Sequence, residues 1–278
     1  MKVAVKETNS YLTKSKIGQY AINPYVGCPH ACKYCYASFM KRFTGHTEAW
    51  GEFIDIKCAT NPIDTTKIIG KNVFMGTVTD CYNPYEAKYG VTRSILEQLA
   101  GVECYVQIAT KSKLILRDID LLKGMKHLSV ALSVNTLDEQ FRMDMDKGSS
   151  IAERLETLRI LHDAGIYTIL FMSPIFIGIT EWKDIIGRTM QYVNEYWFED
   201  LNLRGSYKTV ILDYIQEKHP ELYPTYEKIY LKGDHTPLDL VENKIKQFCA
   251  DKQIIFSDYF HHKEVVSNPN NKILGKNR

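Results

Sequence analysis

Three cysteines lie close together in the stretch GCPHACKYCYA, which runs from Gly27 to Ala37. Cys28, Cys32 and Cys35 are separated by three residues and then by two. Thiolates are soft ligands that suit zinc and iron–sulfur clusters. Three thiols leave a structural zinc ion one ligand short of four, and disulfides consume thiols in pairs. The triplet therefore raises the question of what a site with three thiols would hold.

Three interpretations of the triplet follow from the residues. The thiols could be unrelated core cysteines, although the intervening Pro29, Lys33 and Tyr34 are not typical of a core. They could bind zinc with a fourth ligand such as His30 or His46, although the chain has no second Cys-x2-Cys pair. They could instead hold a cubane iron–sulfur cluster on three thiolates, with one iron left open for a substrate or cofactor.

The composition is that of an ordinary globular protein. Hydrophobic residues make up 45% of the 278 residues, charged residues 24%, and the net charge is +2. No strong charge calls for nucleic acid or an anionic membrane as a partner. The N-terminus lacks the apolar region of a signal peptide, and the longest apolar run, 167–179, is too broken to span a bilayer. We therefore expect a cytoplasmic protein whose thiols stay reduced.

Short apolar runs alternate with helical periodicity along much of the chain. Strand candidates occupy 18–26, 72–78, 104–110, 128–135, 167–177 and 200–205. Helix candidates occupy 91–101, 150–165 and 182–197. This alternation implies right-handed βαβ units and a parallel sheet. The sequence predicts an α/β fold with too few strands for an eight-unit barrel, either a partial barrel or an open doubly wound sheet.

Function in such folds lies at the carboxyl ends of the strands. The loops on that face would follow Val26, Val78, Thr110, Asn135 and Ile177, and the cysteine triplet lies on the first of them. The triplet would then share one working face with the ends of the other strands.

We expect three parts along the chain: an N-terminal arm (1–15), the α/β part (16–205) and a C-terminal extension (206–278) packed on it. The extension is mostly helical with a short strand candidate at 253–257. It carries 11 Lys+Arg against 10 Asp+Glu, a net charge of +1, whereas DNA binding demands clustered cations. His261 and His262 form either a metal pair or, as we favour, a solvated pair.

The triplet in its strand context resembles the Cys-x3-Cys-x2-Cys motif of the radical S-adenosylmethionine (radical SAM) superfamily. Tyr34, the aromatic residue before the third cysteine, is part of this resemblance. The segments INPYVGCPHACKYCYASFMKRFTGH, GTVTD, ATKS, ALSVNT and SPIFIG are similar to the spore photoproduct lyase-like branch, over roughly residues 15–205. The resemblance implies a partial (β/α)6 barrel and a [4Fe-4S] cluster whose ligands are Cys28, Cys32 and Cys35, with SAM chelated by the open iron.

The resemblance also implies which strand ends contact SAM. The residues are Thr79 and Asp80 for the methionyl amine, Lys111 for the methionyl carboxylate, Ser133 and Asn135 for the ribose, and Ser173 for the adenosine. Each alone has an ordinary alternative: a turn cap, a surface charge or a hydroxyl that satisfies a backbone group.

The implied reaction is radical chemistry on a substrate that the sequence does not identify. In radical SAM enzymes the reduced cluster cleaves SAM to a 5′-deoxyadenosyl radical, which abstracts a hydrogen atom, and an external flavodoxin or ferredoxin supplies the electron. One alternative substrate class is a nucleic-acid lesion. An alternative of another class is a non-catalytic protein that uses the triplet for a structural zinc or a sensing cluster.

The chain departs from the lyase pattern beside the acidic motif. The lyases that repair thymine dimers carry a hydrogen-donating cysteine just before that motif, where 75–80 here has no thiol. Cys81 follows instead, and a thiol exposed at that strand end could donate hydrogen, although an inert small residue is the favoured interpretation. Tyr36, like Tyr34, could relay a radical or simply pack beside the cluster.

Overall fold

The computed structural model describes residues 1–261, and its strands form two sheets. In chain order the strands are β1 (Lys2–Thr8), β2 (Leu12–Lys14), β3 (Tyr20–Ile22), β4 (Tyr25–Val26), β5 (Phe53–Ala59), β6 (Asn72–Met75), β7 (Tyr105–Thr110), β8 (Leu128–Ser133), β9 (Tyr167–Ile175), β10 (Glu195–Asp200) and β11 (Phe256–Asp258). The main sheet has the order β11-β10-β9-β8-β7-β6-β3-β2. All its neighbouring strands are parallel except β2, which pairs antiparallel with β3.

Helices follow most strands of the main sheet. In chain order they are α1 (Glu86–Tyr89), α2 (Val91–Leu99), α3 (Ile119–Lys123), α4 (Glu139–Met145), α5 (Ile151–Asp163), α6 (Trp182–Thr189), α7 (Gly205–Lys218), α8 (Tyr223–Tyr230) and α9 (Thr236–Lys252). Short 3-10 helices span Tyr36–Phe43, Thr65–Lys67 and Lys113–Asp118. The predicted α/β fold with a parallel sheet is thus confirmed. No helix in residues 1–261 is long and apolar enough to cross a membrane.

Two predicted helices are present, and a third is too long. The helix α5 begins after Ser150, whose hydroxyl accepts a hydrogen bond from Glu153 N while the Glu153 carboxylate accepts one from Ser150 N. The candidate 182–197 is wrong in its second half, because α6 ends at Thr189 and Glu195 begins β10. The strand candidate 200–205 is wrong for the same reason, since the buried run from Glu195 supplies that strand and only its last residue, Asp200, overlaps the candidate.

The first predicted strand, 18–26, is broken into β3 and β4. The strand β4 leaves the main sheet and pairs antiparallel with β5, while β1 pairs with β5 in parallel. The sequence patterns missed β5 and this small sheet, which lies directly before the cysteine loop. The expected boundaries of the N-terminal arm and the C-terminal extension stay a prediction, and residues 262–278, including His262, lie outside the described residues.

Alternate residues of the parallel strands face two different surroundings. On β10, Tyr196 and Phe198 pack into the core formed with the outer helices. Trp197 instead packs with Phe74 of β6 and Ala131 of β8, so this cluster fills the inner face of the curved sheet. On each of four strands, the residue two positions after a member of this cluster lies at the carboxyl end of the inner face. These residues are Lys111 after β7, Ser133 of β8, Ser173 of β9 and Glu199 of β10. We call this end of the sheet the barrel mouth.

Candidate active site

The cysteine loop is held in a tight path between the two sheets. Gly27 has a φ of +85°, and a Cβ there would lie 2.4 Å from the carbonyl oxygen of Phe53, so only glycine fits. Two turns follow, in which Ala31 N donates to Cys28 O at 3.1 Å and Cys35 N donates to Cys32 O at 3.1 Å. These turns present three thiols from one short segment.

The three thiols lie in one enclosed environment. Burial, together with the nearby Asp80 and Cys35, raises the pKa of Cys28 to about 12. Burial also holds the pKa of Cys32 well above its usual value, with contributions from Asp146 and both other thiols. The pKa of Cys35 is raised by burial against the opposing effect of backbone N–H groups and the Trp50 indole. Such half-buried thiols with raised pKa values suit deprotonation by a metal rather than free thiolate chemistry.

The spacing of the three sulfur atoms bears on whether the site suits an iron–sulfur cluster or a single zinc ion. Among residues 1–261, Asp239, Glu242 and His261 form the only group of three potential ligand atoms that all lie within 4.8 Å of one another. The thiols of the triplet are therefore spread more widely, whereas ligands of one tetrahedral zinc ion with Zn–S bonds near 2.3 Å would be about 3.8 Å apart. The wider spread fits a multi-iron cluster.

The two histidines considered as a fourth zinc ligand have other surroundings. His46 Nδ1 lies 3.1 Å from Glu48, and its Nε2 lies 3.0 Å from Asp55. His30 is buried beside the loop, with Nε2 3.1 Å from Oδ2 of Asp80. Neither observation favours a closed Cys3His zinc site.

Tyr34 connects the cysteine loop to the far side of the barrel mouth. Its hydroxyl donates to Oδ2 of Asp146 at 3.2 Å, and burial raises its pKa well above the usual value. Asp146 is paired with the guanidinium of Arg154, which also donates to the carbonyl oxygen of Ser133 at 3.2 Å. Burial raises the pKa of Asp146, but the cations Arg154 and Lys111 outweigh it and the pKa lies below the ordinary value.

Asp80 accepts three hydrogen bonds from its surroundings. Its Oδ1 accepts from Tyr82 N at 2.8 Å and from the hydroxyl of Thr110 at 2.7 Å. Its Oδ2 accepts from Lys111 N at 2.7 Å and lies 3.1 Å from Nε2 of His30. These bonds fasten the loop after β6 to the end of β7. The expected contact of Asp80 with the methionyl amine stays a prediction.

Thr79 also serves the backbone of the loop. Its buried hydroxyl donates to the carbonyl oxygen of Gly27 at 2.6 Å. The side chains of Thr79 and Asp80 thus bond the backbone of the cysteine loop and of Lys111, and their expected contact with the amine of SAM stays a prediction.

Lys111 is a half-buried cation at the barrel mouth. Its Nζ lies 5.6 Å from the centre of the Tyr34 ring, and its charge lowers the pKa values of Cys32 and Cys35 against the effect of burial. Within residues 1–261, no carboxylate lies within 4.0 Å of its Nζ. A lysine without a counter-ion next to the thiols is a ready site for an anionic group.

The three remaining residues predicted to contact SAM, Ser133, Asn135 and Ser173, differ in the hydrogen bonds that they already make. Ser133 is buried on the inner face of β8. Asn135 is 4% exposed, and its Nδ2 donates to the carbonyl oxygen of Pro174 at 3.1 Å. That bond ties the end of β8 to β9, and the expected ribose contact of Asn135 stays a prediction. Ser173 donates its hydroxyl hydrogen bond to Glu199 at the barrel mouth.

The two residues considered for radical transfer lie in different places. Cys81 has no exposed surface and packs in the core with Ile22, Tyr25 and Tyr82, so its thiol is not exposed, and the favoured interpretation as an inert small residue stays a prediction. It lies six residues after Met75, the last residue of β6. Tyr36 is 52% exposed, and its hydroxyl donates to the carbonyl oxygen of Thr77.

The sequence patterns missed two residues of the barrel mouth, Arg154 and Glu199. Arg154 looked like an ordinary polar position of an amphipathic helix, yet it is 1% exposed. Glu199 sits opposite a register shift between β9 and β10, and burial raises the pKa of its carboxyl against the effects of Ser173 and Lys111. Correct placement of β10 would have put Glu199 in line with Ser133 and Ser173.

Comparison with known proteins agrees with this arrangement. The family model described as Radical SAM superfamily matches residues 22–187. An uncharacterized protein of Methanocaldococcus jannaschii, MJ0683, is 35% identical over 212 residues, which are 76% of this chain and 80% of the relative. The uncharacterized protein Rv2578c of Mycobacterium tuberculosis is 25% identical over 79% of this chain and 69% of its own length.

Solved structures share the fold at low sequence identity. Spore photoproduct lyase, in complex with a dinucleoside spore photoproduct, superimposes with a TM-score of 0.57 at 15% identity, over 79% of this chain and 66% of the lyase. SuiB of Streptococcus suis bound to S-adenosylmethionine gives a TM-score of 0.58 at 11% identity, over 96% of this chain and 52% of SuiB. The chain belongs to the radical SAM superfamily, the enzymes that use a [4Fe-4S] cluster together with SAM.

Proposed function

We propose that Cys28, Cys32 and Cys35 hold the [4Fe-4S] cluster and that the protein cleaves SAM reductively at the barrel mouth. When bound and reduced, the cluster supplies the electron that splits SAM into methionine and a 5′-deoxyadenosyl radical, which removes a hydrogen atom from the substrate. The observation that carries this proposal is the position of Lys111, which makes no ion pair within 4.0 Å among residues 1–261, beside three half-buried thiols.

Lys111 binds the methionyl carboxylate in this proposal. The backbone N–H of the same residue is fixed by Asp80, so the start of its side chain is held in place while the ammonium group stays free to pair. A compact ammonium charge suits a single carboxylate oxygen. Gly148 supports this placement, because a Cβ there would lie 3.0 Å from Cβ of Lys111 and 2.7 Å from the Arg154 guanidinium.

The inner-face hydroxyls bind the nucleoside end of SAM in this proposal. Ser133 lies on β8, next to the strand that leads to Lys111, and it offers a donor and an acceptor to the ribose. Ser173 lies one strand further along, where its hydroxyl is oriented by Glu199. This order of strands accommodates an extended molecule whose carboxylate end lies at Lys111.

The surrounding residues protect a reactive radical from unwanted hydrogen donors. The Cys81 thiol, a good hydrogen-atom donor, is enclosed in the core and does not face the mouth. Tyr34 is held by Asp146. Substrate then becomes the intended hydrogen source, in line with the general role of such sites in excluding side reactions.

The partners and location follow from the same chemistry. An external one-electron carrier of the flavodoxin or ferredoxin type reduces the cluster, and the thiols must be reduced before iron binds, which favours the cytoplasm.

Anaerobic reconstitution tests the cofactor assignment. The wild-type protein is expected to bind about four irons and turn brown, and SAM is expected to change the electron paramagnetic resonance spectrum of the reduced protein. Zinc binding without iron uptake would refute the assignment.

A further inference from the structure

The segment around the triplet carries an unusual excess of positive charge. Residues 8–47 contain five Lys and Arg and no Asp or Glu, although the whole chain is nearly balanced with 35 basic and 33 acidic residues. The basic residues of this segment are Lys14, Lys16, Lys33, Lys41 and Arg42. Lys33 lies within the triplet and Lys41 and Arg42 lie six and seven residues after Cys35, so the segment next to the cysteine loop is positive while the protein as a whole is close to neutral.

The 3-10 helix Tyr36–Phe43 begins directly after Cys35 and leads from it to the surface. A 3-10 helix has three residues per turn, so Tyr36, Phe39 and Arg42 lie along one edge of it. Phe39 is 46% exposed and Phe43 is 67% exposed, whereas Ala37 on the other side is buried.

Arg42 combines with the two exposed rings to form one surface feature. Its guanidinium carbon lies 5.5 Å from the centre of the Phe39 ring and 4.6 Å from that of Phe43. We call Phe39, Lys41, Arg42 and Phe43 the basic aromatic face. Among residues 1–261, neither Lys41 nor Arg42 has a carboxylate within 4.0 Å, although many other surface cations of the protein are paired. Lys41 Nζ donates to the carbonyl oxygen of Thr47 at 3.1 Å, so its charge, like that of Arg42, is not neutralised by a carboxylate and can attract an acidic partner.

We propose that the basic aromatic face docks an acidic one-electron carrier protein, and this proposal rests on the proposed function. One electron leaves the reduced carrier, which is oxidised once, and enters the cluster, which is reduced once for each SAM cleaved. The first turn of the helix starts at a cluster ligand, and Phe39 lies about 8 Å along the helix from Cys35 at 2 Å per residue. A docked carrier would thus lie close to its electron acceptor.

The chemistry of the face fits a transient redox complex. Electron-transfer complexes use small interfaces, below about 1,200 Å². Complementary charges steer the encounter, and exposed aromatic rings with Arg form the central contacts. An acidic carrier would meet two cations that have no carboxylate partner, one of which, Arg42, lies against two exposed rings. Residues 8–47 contain no carboxylate side chain that would repel it.

Reduction by a small chemical agent needs no docking, which gives a direct comparison. We would replace Lys41 and Arg42 together by Glu, replace Phe39 by Ser in a second variant, and replace Lys123 by Glu as the matched control. Lys123 is exposed at the end of α3, which precedes β8 and so lies at the opposite end of the sheet. Melting temperatures would confirm that each variant is folded.

Two readouts are needed: release of 5′-deoxyadenosine and direct binding of a purified flavodoxin by calorimetry. With dithionite, we expect all variants to release 5′-deoxyadenosine at the wild-type rate. In a second assay, limiting flavodoxin, its reductase and NADPH supply the electrons at low salt. There we expect the Lys41→Glu/Arg42→Glu variant to lose about tenfold in the rate of 5′-deoxyadenosine release and about tenfold in flavodoxin affinity. We expect these differences from wild type to become smaller at high salt, because salt screens the charges. The Lys123→Glu variant is expected to match wild type in both readouts.

The outcomes distinguish the proposals. Absence of 5′-deoxyadenosine from the wild type with dithionite refutes the proposed function. Loss of the dithionite-driven rate in the face variants, or unchanged flavodoxin binding, overturns the docking proposal alone. Retained flavodoxin binding with lost binding of a single-stranded DNA oligonucleotide would assign the face to nucleic acid. Dissociation of a wild-type dimer in the variants, with flavodoxin binding unchanged, would assign it to self-association.

Discussion

The hydroxyl of Thr110 donates to Oδ1 of Asp80 at 2.7 Å, and this bond joins the carboxyl ends of two neighbouring parallel strands. The other carboxylate oxygen accepts from the backbone of Lys111. The acidic residue that resembles a SAM ligand is therefore part of the scaffold that places the lysine.

We predict that Asp80→Asn destabilises the fold. Each carboxylate oxygen of Asp80 accepts a hydrogen bond from a backbone N–H, so the new amide NH2 group would face a donor at either position. Unsatisfied buried groups cost about 1–3 kcal/mol, and urea denaturation of the metal-free protein would measure the loss. Asp64→Asn is the control, since Asp64 is exposed and bonds Thr66 and Lys67. Unchanged stability combined with lost SAM affinity would return Asp80 to the role of amine ligand.

We predict that Lys111→Ala weakens SAM binding to the reconstituted protein by about tenfold to a hundredfold, since hydrogen bonds to charged groups contribute about 1.5–3 kcal/mol. Iron content is expected to stay unchanged. Lys113→Ala is the matched control from the same segment, because Lys113 is exposed and pairs with Glu153. Equal SAM affinity in the Lys111→Ala and Lys113→Ala variants would contradict this assignment.

We predict that Cys81→Ala releases 5′-deoxyadenosine at the wild-type rate, because its thiol lies in the core and not at the mouth. The substitution removes a buried sulfur atom and is expected to cost about 1–2 kcal/mol of stability. Chromatographic quantification of 5′-deoxyadenosine would check the first expectation. A change in the products formed from an identified substrate would show that this thiol does donate hydrogen.

We predict that Asp200→Asn stabilises the protein at neutral pH. Burial, and then the neighbouring Glu199, raise the pKa of Asp200 to about 6, against the effect of His261, and the phenol of Tyr230 lies nearby. An acid whose pKa is higher in the folded state binds more protons there, so wild-type stability falls as pH rises from about 4 to 6.

The variant should be about 2 kcal/mol more stable than wild type above pH 6, and the difference should vanish below pH 4. Denaturation at several pH values measures it. Asp163→Asn is the control, because Asp163 is exposed and pairs with Arg159. An equal difference at pH 4 and pH 8 would show that protonation of Asp200 is not its cause.

The sequence was informative where chemistry and local pattern coincide. Three thiols in eight residues predict the cofactor class, and the alternation of strands and helices predicts the parallel sheet. The capping residues of α5 were also readable, because Ser150 and Glu153 act within one turn.

The rest depends on tertiary contacts that no local pattern reveals. Nothing near Asp80 in the chain shows that Thr110 and Lys111 will occupy its oxygens. Glu199 was hidden because the aromatic run before it suited a helix as well as a strand. The sequence left open whether Cys81 is exposed or buried, because the path of the loop after β6 depends on tertiary packing.

The most direct test of the central claim measures 5′-deoxyadenosine from anaerobically reconstituted protein with dithionite and SAM. We predict release by the wild type and none by single Cys28→Ala, Cys32→Ala or Cys35→Ala variants, which should also lose iron, whereas Cys58→Ala, with an exposed thiol outside the loop, should behave as wild type. Equal release by the wild type and the three loop variants, or iron retained without any release by the wild type, would contradict the account.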